Sequence, residues 1–409
     1  MIRHQIYFDT LGSMQEGSAS WRCVFAGLSV LRLVDSYAEA GSAANPGGWA
    51  QLHSVRAAIG EMSEGDPMRG VLTAVLDEVT SRSVVDDTVC RTLMSYGRVL
   101  DYEASWSLAS DVFSTVVKLV KPERNARLAV EANVALGGAA RRSGDWDTSA
   151  RAYSQAAYIA DTLGDRPGVL TVQIGIANTY LAKGNLPQAQ TILDDVLVQA
   201  RDHDLPAIQG DALHARAALL FRQGNPADGL TVAHEALGVI TSSRSRDFVL
   251  EDIAAMFTEL GLRDAARDAH LLLASTAESK LVRWSAALNL MELASLDGME
   301  EAFDGYAHEL AKAPTGPWVR SHYLLFLGEG FQRFGRQDAA IEALQEAVSF
   351  AQENQIHQIV FKAEAALVSI RSNPRAQPTF APTPTWIPED VNVVARAISD
   401  LRRTAVAAS

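Results

Sequence analysis

Only two cysteines, Cys23 and Cys90, occur in the 409 residues. Two thiols cannot build a disulfide framework or a thiolate metal centre, so free cysteines and no metal are expected. Lysine is nearly as scarce, with 6 against 30 arginines, and no basic run occurs anywhere. At a formal net charge of −13, the chain lacks the phosphate-neutralising surface that nucleic acid or an anionic membrane requires. Long apolar runs are missing too. The most apolar stretch, Trp21 to Val34, is too short for a bilayer and carries Arg22 and Arg32. No basic region followed by an apolar core and a small-residue cleavage site opens the chain, and a cytoplasmic location is the expectation. The excess of arginine and alanine is of the kind associated with GC-rich bacterial genomes.

Catalytic signatures are equally sparse. There is no glycine-rich phosphate loop ending in Gly-Lys-Ser/Thr, no Gly-x-Ser-x-Gly and no His-Glu-x-x-His. The nine histidines are scattered, without pairs at metal-ligand spacing. Asp86-Asp87 and Asp194-Asp195 are acidic pairs with no third carboxylate to complete a diphosphate–magnesium site, and read as solvated helix surface. The expectation is a non-enzymatic protein without a cofactor.

What the chain has in quantity is regularity. Ser143-Gly144-Asp145, Lys183-Gly184-Asn185, Gln223-Gly224-Asn225, Leu260-Gly261-Leu262, Asp297-Gly298-Met299 and Phe334-Gly335-Arg336 recur with glycine steps of 40, 40, 37, 37 and 37 residues. Each glycine separates two stretches of helical apolar spacing. In the last unit Tyr323, Leu324, Leu327, Gly328 and Phe331 precede Gly335, and Ala340, Leu344, Ala347 and Phe350 follow it. Glycine can take the left-handed conformation that ends a helix, so the unit reads helix, tight turn, antiparallel helix. A fixed period in this range predicts a solenoid, in which each unit buries its apolar face against its neighbours.

At these positions the chain resembles the tetratricopeptide repeat family. The family's pattern of small, large and aromatic residues about the turn glycine is met by Leu327, Gly328, Phe331, Ala340, Leu344 and Ala347. It is met again by Ile176, Ala177, Tyr180, Ala189 and Leu193, with Val196 a weaker match. The unit at Gly144 keeps Leu136, Gly137, Tyr153 and Ala156 but has Ala140 for the aromatic. The unit at Gly261 keeps Ile253, Ala254, Phe257 and Ala266 before departing at His270, and that at Gly298 has Met291 where a small residue belongs. Six units cover roughly 125–372, and a seventh is expected before them, where Asp101–Ser105 parallels Asp145–Ser149 at an offset of 44. The period exceeds the family's usual length, as in bacterial peptide-sensing regulators and cortical scaffolds of the same repeat subtype. The resemblance implies an all-α, right-handed superhelix over residues 87–372.

The ends read differently. Residues 1–19 show no period and are expected to form a flexible tail, and 20–86 a helical cap broken by the Gly/Ser/Ala/Pro stretch 41–48. Helix–turn–helix within the cap does not suggest DNA binding, because acidic residues outnumber basic ones there. Residues 373–388 hold five of the 14 prolines, with Phe380 and Trp386 among them, and predict an extended spacer. An amphipathic helix over 389–409 follows, with Val391, Val394, Ile398 and Leu401 on one stripe. It is expected to dock on the last repeat, or else to occupy the groove or join two copies as a homo-oligomer.

In the tetratricopeptide family the first helix of each unit lines the concave face. Carried over, that arrangement implies a groove wall of Arg141, Arg142, Asn178, His214 and Arg222, with contact surface from Leu181 and Phe221. Glu251, Glu259, Glu292 and Glu329 would make its other half acidic. Such a wall could pair with a carboxylate and orient an extended peptide. The lysine–asparagine clamp of chaperone-binding members is not reproduced, since Ile174 stands where the lysine partner of Asn178 belongs. The expected function is a protein- or peptide-binding scaffold. The alternatives are a peptide-gated regulator and, remotely, a helical-toroid enzyme with converging carboxylates.

Overall fold

The computed structural model describes residues 2–40, 48–82, 85–313, 316–354, 356–372 and 387–408. Residues 41–47 of the expected break and 373–386 of the expected spacer, Phe380 and Trp386 included, lie outside them. Among the described residues there are twenty helices and no strand, as an all-α helical repeat requires. The chain forms two compact units that divide between Ile192 and Leu193.

The first unit opens with α1 (Gln5–Gly12), α2 (Ala19–Ala40), α3 (Gly48–Gly60) and α4 (Pro67–Arg82). It continues with the pairs α5 (Asp87–Tyr102) and α6 (Trp106–Leu119), α7 (Pro122–Arg142) and α8 (Trp146–Thr162), and then α9 (Arg166–Ala182). The division falls inside α10 (Leu186–Asp202). The second unit holds α11 (Pro206–Arg222) and α12 (Pro226–Val239), α13 (Ser243–Glu259) and α14 (Arg263–Thr276), and α15 (Lys280–Leu296) and α16 (Glu300–Lys312). It ends with α17 (Pro317–Arg333), α18 (Gln337–Glu353), α19 (His357–Ser372) and α20 (Glu389–Ala408). In the first unit α5 packs on α6 and on α7, and in the second α17 packs on α18 and on α19.

All six turn glycines are left-handed, with φ between 70° and 82°. At each, the next residue's N–H reaches back five residues to a carbonyl of the finished helix, as in Asp145 N to Ala140 O at 2.9 Å and Arg336 N to Phe331 O at 2.8 Å. This closes helix ends that would otherwise leave orphan carbonyls, and only glycine adopts that backbone without strain. The same closure occurs at Ala104 (φ 57°), where Ser105 N bonds Leu100 O at 2.8 Å. Ala104 therefore takes the place of Gly144, and the α5–α6 pair aligns at an offset of 40 rather than the expected 44. The matching tryptophans, Trp106 and Trp146, open their second helices in register. The step from 40 to 37 lies in the second helices: α8 and α10 have 17 residues, α12 and α14 have 14, and α16 has 13.

Small residues admit large neighbours. A Cβ on Gly175 would stand 2.3 Å from the Tyr153 ring, and one on Gly137 2.8 Å from it. Gly330 does the same for Phe303, and Gly328 for Leu344.

Residues 1–19 are not simply a tail. α1 docks through Tyr7, which is fully buried with its hydroxyl 3.1 Å from that of Tyr96. His4 Nδ1 lies 2.6 Å from Asp111 and Nε2 3.3 Å from Asp35. Burial alone would depress this imidazole, but the two carboxylates outweigh it and hold its pKa up at about 9. A helix of 8 residues anchored by two side chains leaves no periodic trace.

The terminal helix departs from expectation as well. α20 starts at Glu389 and buries Val391, Val394 and Ile398, but on α12 and α14, the second helices of two earlier pairs. Arg402 Nε adds an ion pair to Asp268 at 3.2 Å. The stripe finds its apolar complement there, while on α19 Phe361 (70% exposed) and Val368 (61%) stay uncovered by described residues.

Gly175→Ala should lower stability by about 1–3 kcal/mol through overpacking against Tyr153, read as a fall in melting temperature; an unchanged Tm would show that the ring can yield. Ile398→Asp should release α20, seen as fast amide hydrogen exchange across 389–408 with α7 and α8 still protected.

Candidate functional site

In the first unit the expected groove residues separate into different situations. Arg142 closes α7 and donates from Nε to Asp101 Oδ1 of α5 at 3.0 Å, with a second bond through Nη2. It is a strut between neighbouring first helices. Arg141 has no such carboxylate. Its side chain is half-buried, and its Nε is shielded from solvent without a hydrogen-bond partner. Burial pulls this guanidinium below its ordinary pKa, against the opposing effect of Tyr153. Gly138 lies beside Arg142 and Tyr153: a Cβ there would be 3.5 Å from Arg142 Nη2 and 3.7 Å from the Tyr153 oxygen. On α9, Asn178 is half-exposed, whereas Leu181 is 4% exposed and belongs to the core instead of a contact surface.

In the second unit, His214 Nε2 of α11 lies 2.8 Å from Asp252 Oδ2 of α13, joining adjacent first helices. Phe221 is half-buried and Arg222 exposed. Glu251 is half-buried. Burial pushes its carboxyl up to about 7, Asp252 and Asp247 push the same way, and the Ser285 hydroxyl of α15 opposes them. Glu292 of α15 is also driven to about 7, first by burial and then by Glu329 of α17, with Arg333 and Lys362 opposing. Arg333 lies 3.4 Å from Glu329 and donates to Ser295 Oγ at 2.8 Å. Glu259 stays exposed at the end of α13. The fold thus brings Glu292 and Glu329 together and sets Glu251 among aspartates.

Sequence reasoning missed Tyr153, Asp247, Asp252 and Ser285. Tyr153 reads as a packing position, and its polar tip is the only hint of a second role. Asp247 was findable, because it precedes Glu251 by four residues on one helix face. It is 5% exposed, burial raises its pKa, and its Oδ2 has no hydrogen-bond partner. Among the described residues no three His, Cys, Asp or Glu side chains are placed to hold a metal ion, and no helix is long and apolar enough to cross a membrane. A cleft of about 940 Å³ lies between α14 and α20, but its charges are largely spent on each other, Arg263 and Arg267 both pairing with Asp297.

Residues 128–201, from α7 into α10, match the family model of the tetratricopeptide repeat. Over this stretch the chain carries tetratricopeptide repeats. Among solved structures, a Rap protein complexed with Competence and Sporulation Factor is similar over 86% of this chain and 98% of that chain, at 11% identity and a TM-score of 0.37. No curated protein matches.

The neutral form of Glu292 is the one the fold favours, since its pKa rises from 4.5 to about 7. That stability is complete below pH 4.5, drains as pH climbs to 7 and is absent above. Glu292→Gln should therefore stabilise the protein at pH 8 by about 1–3 kcal/mol and change little at pH 4.5. Melting curves at the two pH values check this.

Proposed function

We propose that this chain is a non-enzymatic scaffold whose repeats bind an extended protein or peptide segment on their first-helix faces. The observation that carries the reading is Glu251 on α13. It is a desolvated carboxylate with no lysine or arginine ion pair among the described residues, held near neutrality by burial. A charge kept out of water without a counterion is costly to the free protein, and a ligand that supplies the counterion removes that cost. Perturbed carboxylates of this kind concentrate at binding and catalytic sites. Glu292 repeats the pattern one first helix further on, with Arg333 and Lys362 only partly offsetting it. Extended segments suit such a face, because successive first helices present side chains at regular intervals along the stack.

A peptide library panned against the full chain should yield binders that Glu251→Lys or Glu292→Lys weakens at least about tenfold. Glu301→Lys, on the exposed surface of α16, should leave them unchanged. Binders indifferent to both first-helix substitutions, or no binders at all, would defeat the reading.

A further inference from the structure

We propose that the cleft between the first turn of α7 and the α8–α9 turn is a docking surface for an acidic segment of a partner protein, one that sets carboxylates around an apolar side chain. This goes beyond the groove reading, because the cleft lies where one helical pair hands over to the next and uses none of the groove residues.

The case begins with four cations at intervals of three, Lys118, Lys121, Arg124 and Arg127. No two are adjacent, so no basic run marks them, and Glu123 is the only acid between them. All four are exposed, and none forms an ion pair among the described residues. Carboxylates are plentiful, 49 against 36 basic residues, and other arginines of the first unit take one: Arg98 pairs with Glu131 and Arg142 with Asp101. Like charges this close in the chain repel one another, a cost that an acidic partner relieves.

The cleft has a volume of about 650 Å³, and the backbone sets both of its walls. On one side Asn125 leaves helical geometry (φ −146°, ψ 77°), donating from Nδ2 to Asp87 at 2.9 Å and accepting the Leu128 N–H at 3.1 Å. This kink falls between Arg124 and Arg127, and both line the cleft. On the other side Gly164 is left-handed (φ 63°), and Asp165 N closes onto Ala160 O at 2.9 Å. That turn presents Arg166 and Leu163, a leucine 49% exposed. Asp165 also lines the cleft, but its carboxylate caps α9 by accepting the Gly168 N–H. Pro122 and Pro167 add apolar lining on stiff backbone. Arginine matches a carboxylate with parallel N–H bonds, and arginine clusters are a recurrent means of reading acidic motifs. Leu163 gives an apolar side chain of the same segment a place to leave water. Walls fixed before binding keep the ordering cost low. Nucleic acid fits this lining less well, since Glu123 and Asp165 stand among the three arginines.

The test uses the full-length protein and fluorescence anisotropy at low ionic strength. The probes are a fluorescein-labelled peptide of glutamate pairs separated by leucines, its glutamine counterpart, and oligothymidylate. The glutamate peptide should bind saturably and lose affinity as salt is added, and the glutamine peptide should not bind. Arg124→Glu and Arg127→Glu should each weaken the glutamate peptide at least about tenfold, and Leu163→Ser should weaken it too. Arg151→Glu, which makes the same charge change on the exposed surface of α8, should leave its affinity within about twofold of the parent. All four side chains are exposed, so the melting temperatures of the variants should match the parent's.

The surface is overturned if the glutamate peptide does not bind, if its glutamine counterpart binds as well, or if neither arginine reversal costs more than Arg151→Glu. Leu163→Ser without effect would overturn the apolar part of the surface, and oligothymidylate binding more tightly than the peptide would overturn a protein partner. Glu251→Lys and Glu292→Lys should leave the affinity for the glutamate peptide unreduced. Arg124→Glu should spare the library binders that Glu251→Lys weakens. Either reading can therefore fail while the other stands.

Discussion

Everything in the repeat region depends on one backbone event, the entry of a single residue into the left-handed region at the end of each first helix. There the next N–H reverses onto a carbonyl five residues back, and the second helix is launched antiparallel to the first. Once the reversal is fixed, helix length sets the distance to the next unit. The first helices from α9 to α17 keep 17 residues in every pair, so the loss of about one helical turn from α12, α14 and α16 accounts for the shorter step. Close approach then follows from where the small residues fall. Glycines at 137, 175, 328 and 330 receive Tyr153, Leu344 and Phe303, and no larger side chain would fit there.

Charge is arranged on a second principle. Most charged groups on the first helices serve the fold: Arg142 ties α7 to α5, His214 ties α11 to α13, and Arg333 ties α17 to α15. Arg141, Asp247, Glu251 and Glu292 are exceptions, shifted from their ordinary titration by burial and without a matching ion pair. A stack of helices has ample surface on which to solvate such groups, so keeping them half out of water needs a reason beyond the fold. The two kinds of charge were indistinguishable by residue type, since Arg141 and Arg142 are adjacent.

That adjacency shows how far the sequence could be read. Turn glycines carry their conformation in their identity, and apolar spacing carries helix faces, so the helical pairs and most packing positions were legible. Ala104 was harder, because an alanine with positive φ has no local signal and only its register with Gly144 exposes it. Repeat position does not by itself report a side chain's environment. Leu181 sits where a groove residue belongs, yet its side chain turns into the core. α1 and the seat of α20 were illegible for a common reason: each is fixed by contacts with residues far away in the chain, which no window of sequence contains.

The seat of α20 also bears on how the protein is made. Contacts in a helical repeat are mostly local, so such a chain can fold pair by pair as it leaves the ribosome. The ion pair between Asp268 and Arg402 spans 134 residues and breaks that pattern. Until the last helix has been synthesised, the faces of α12 and α14 that receive Val391, Val394 and Ile398 lack their cover. At ordinary elongation rates of about 5–20 residues per second, this interval lasts on the order of ten seconds. The second unit is thus one whose apolar surface is completed from its far end, and the nascent chain must pass through that exposed state each time.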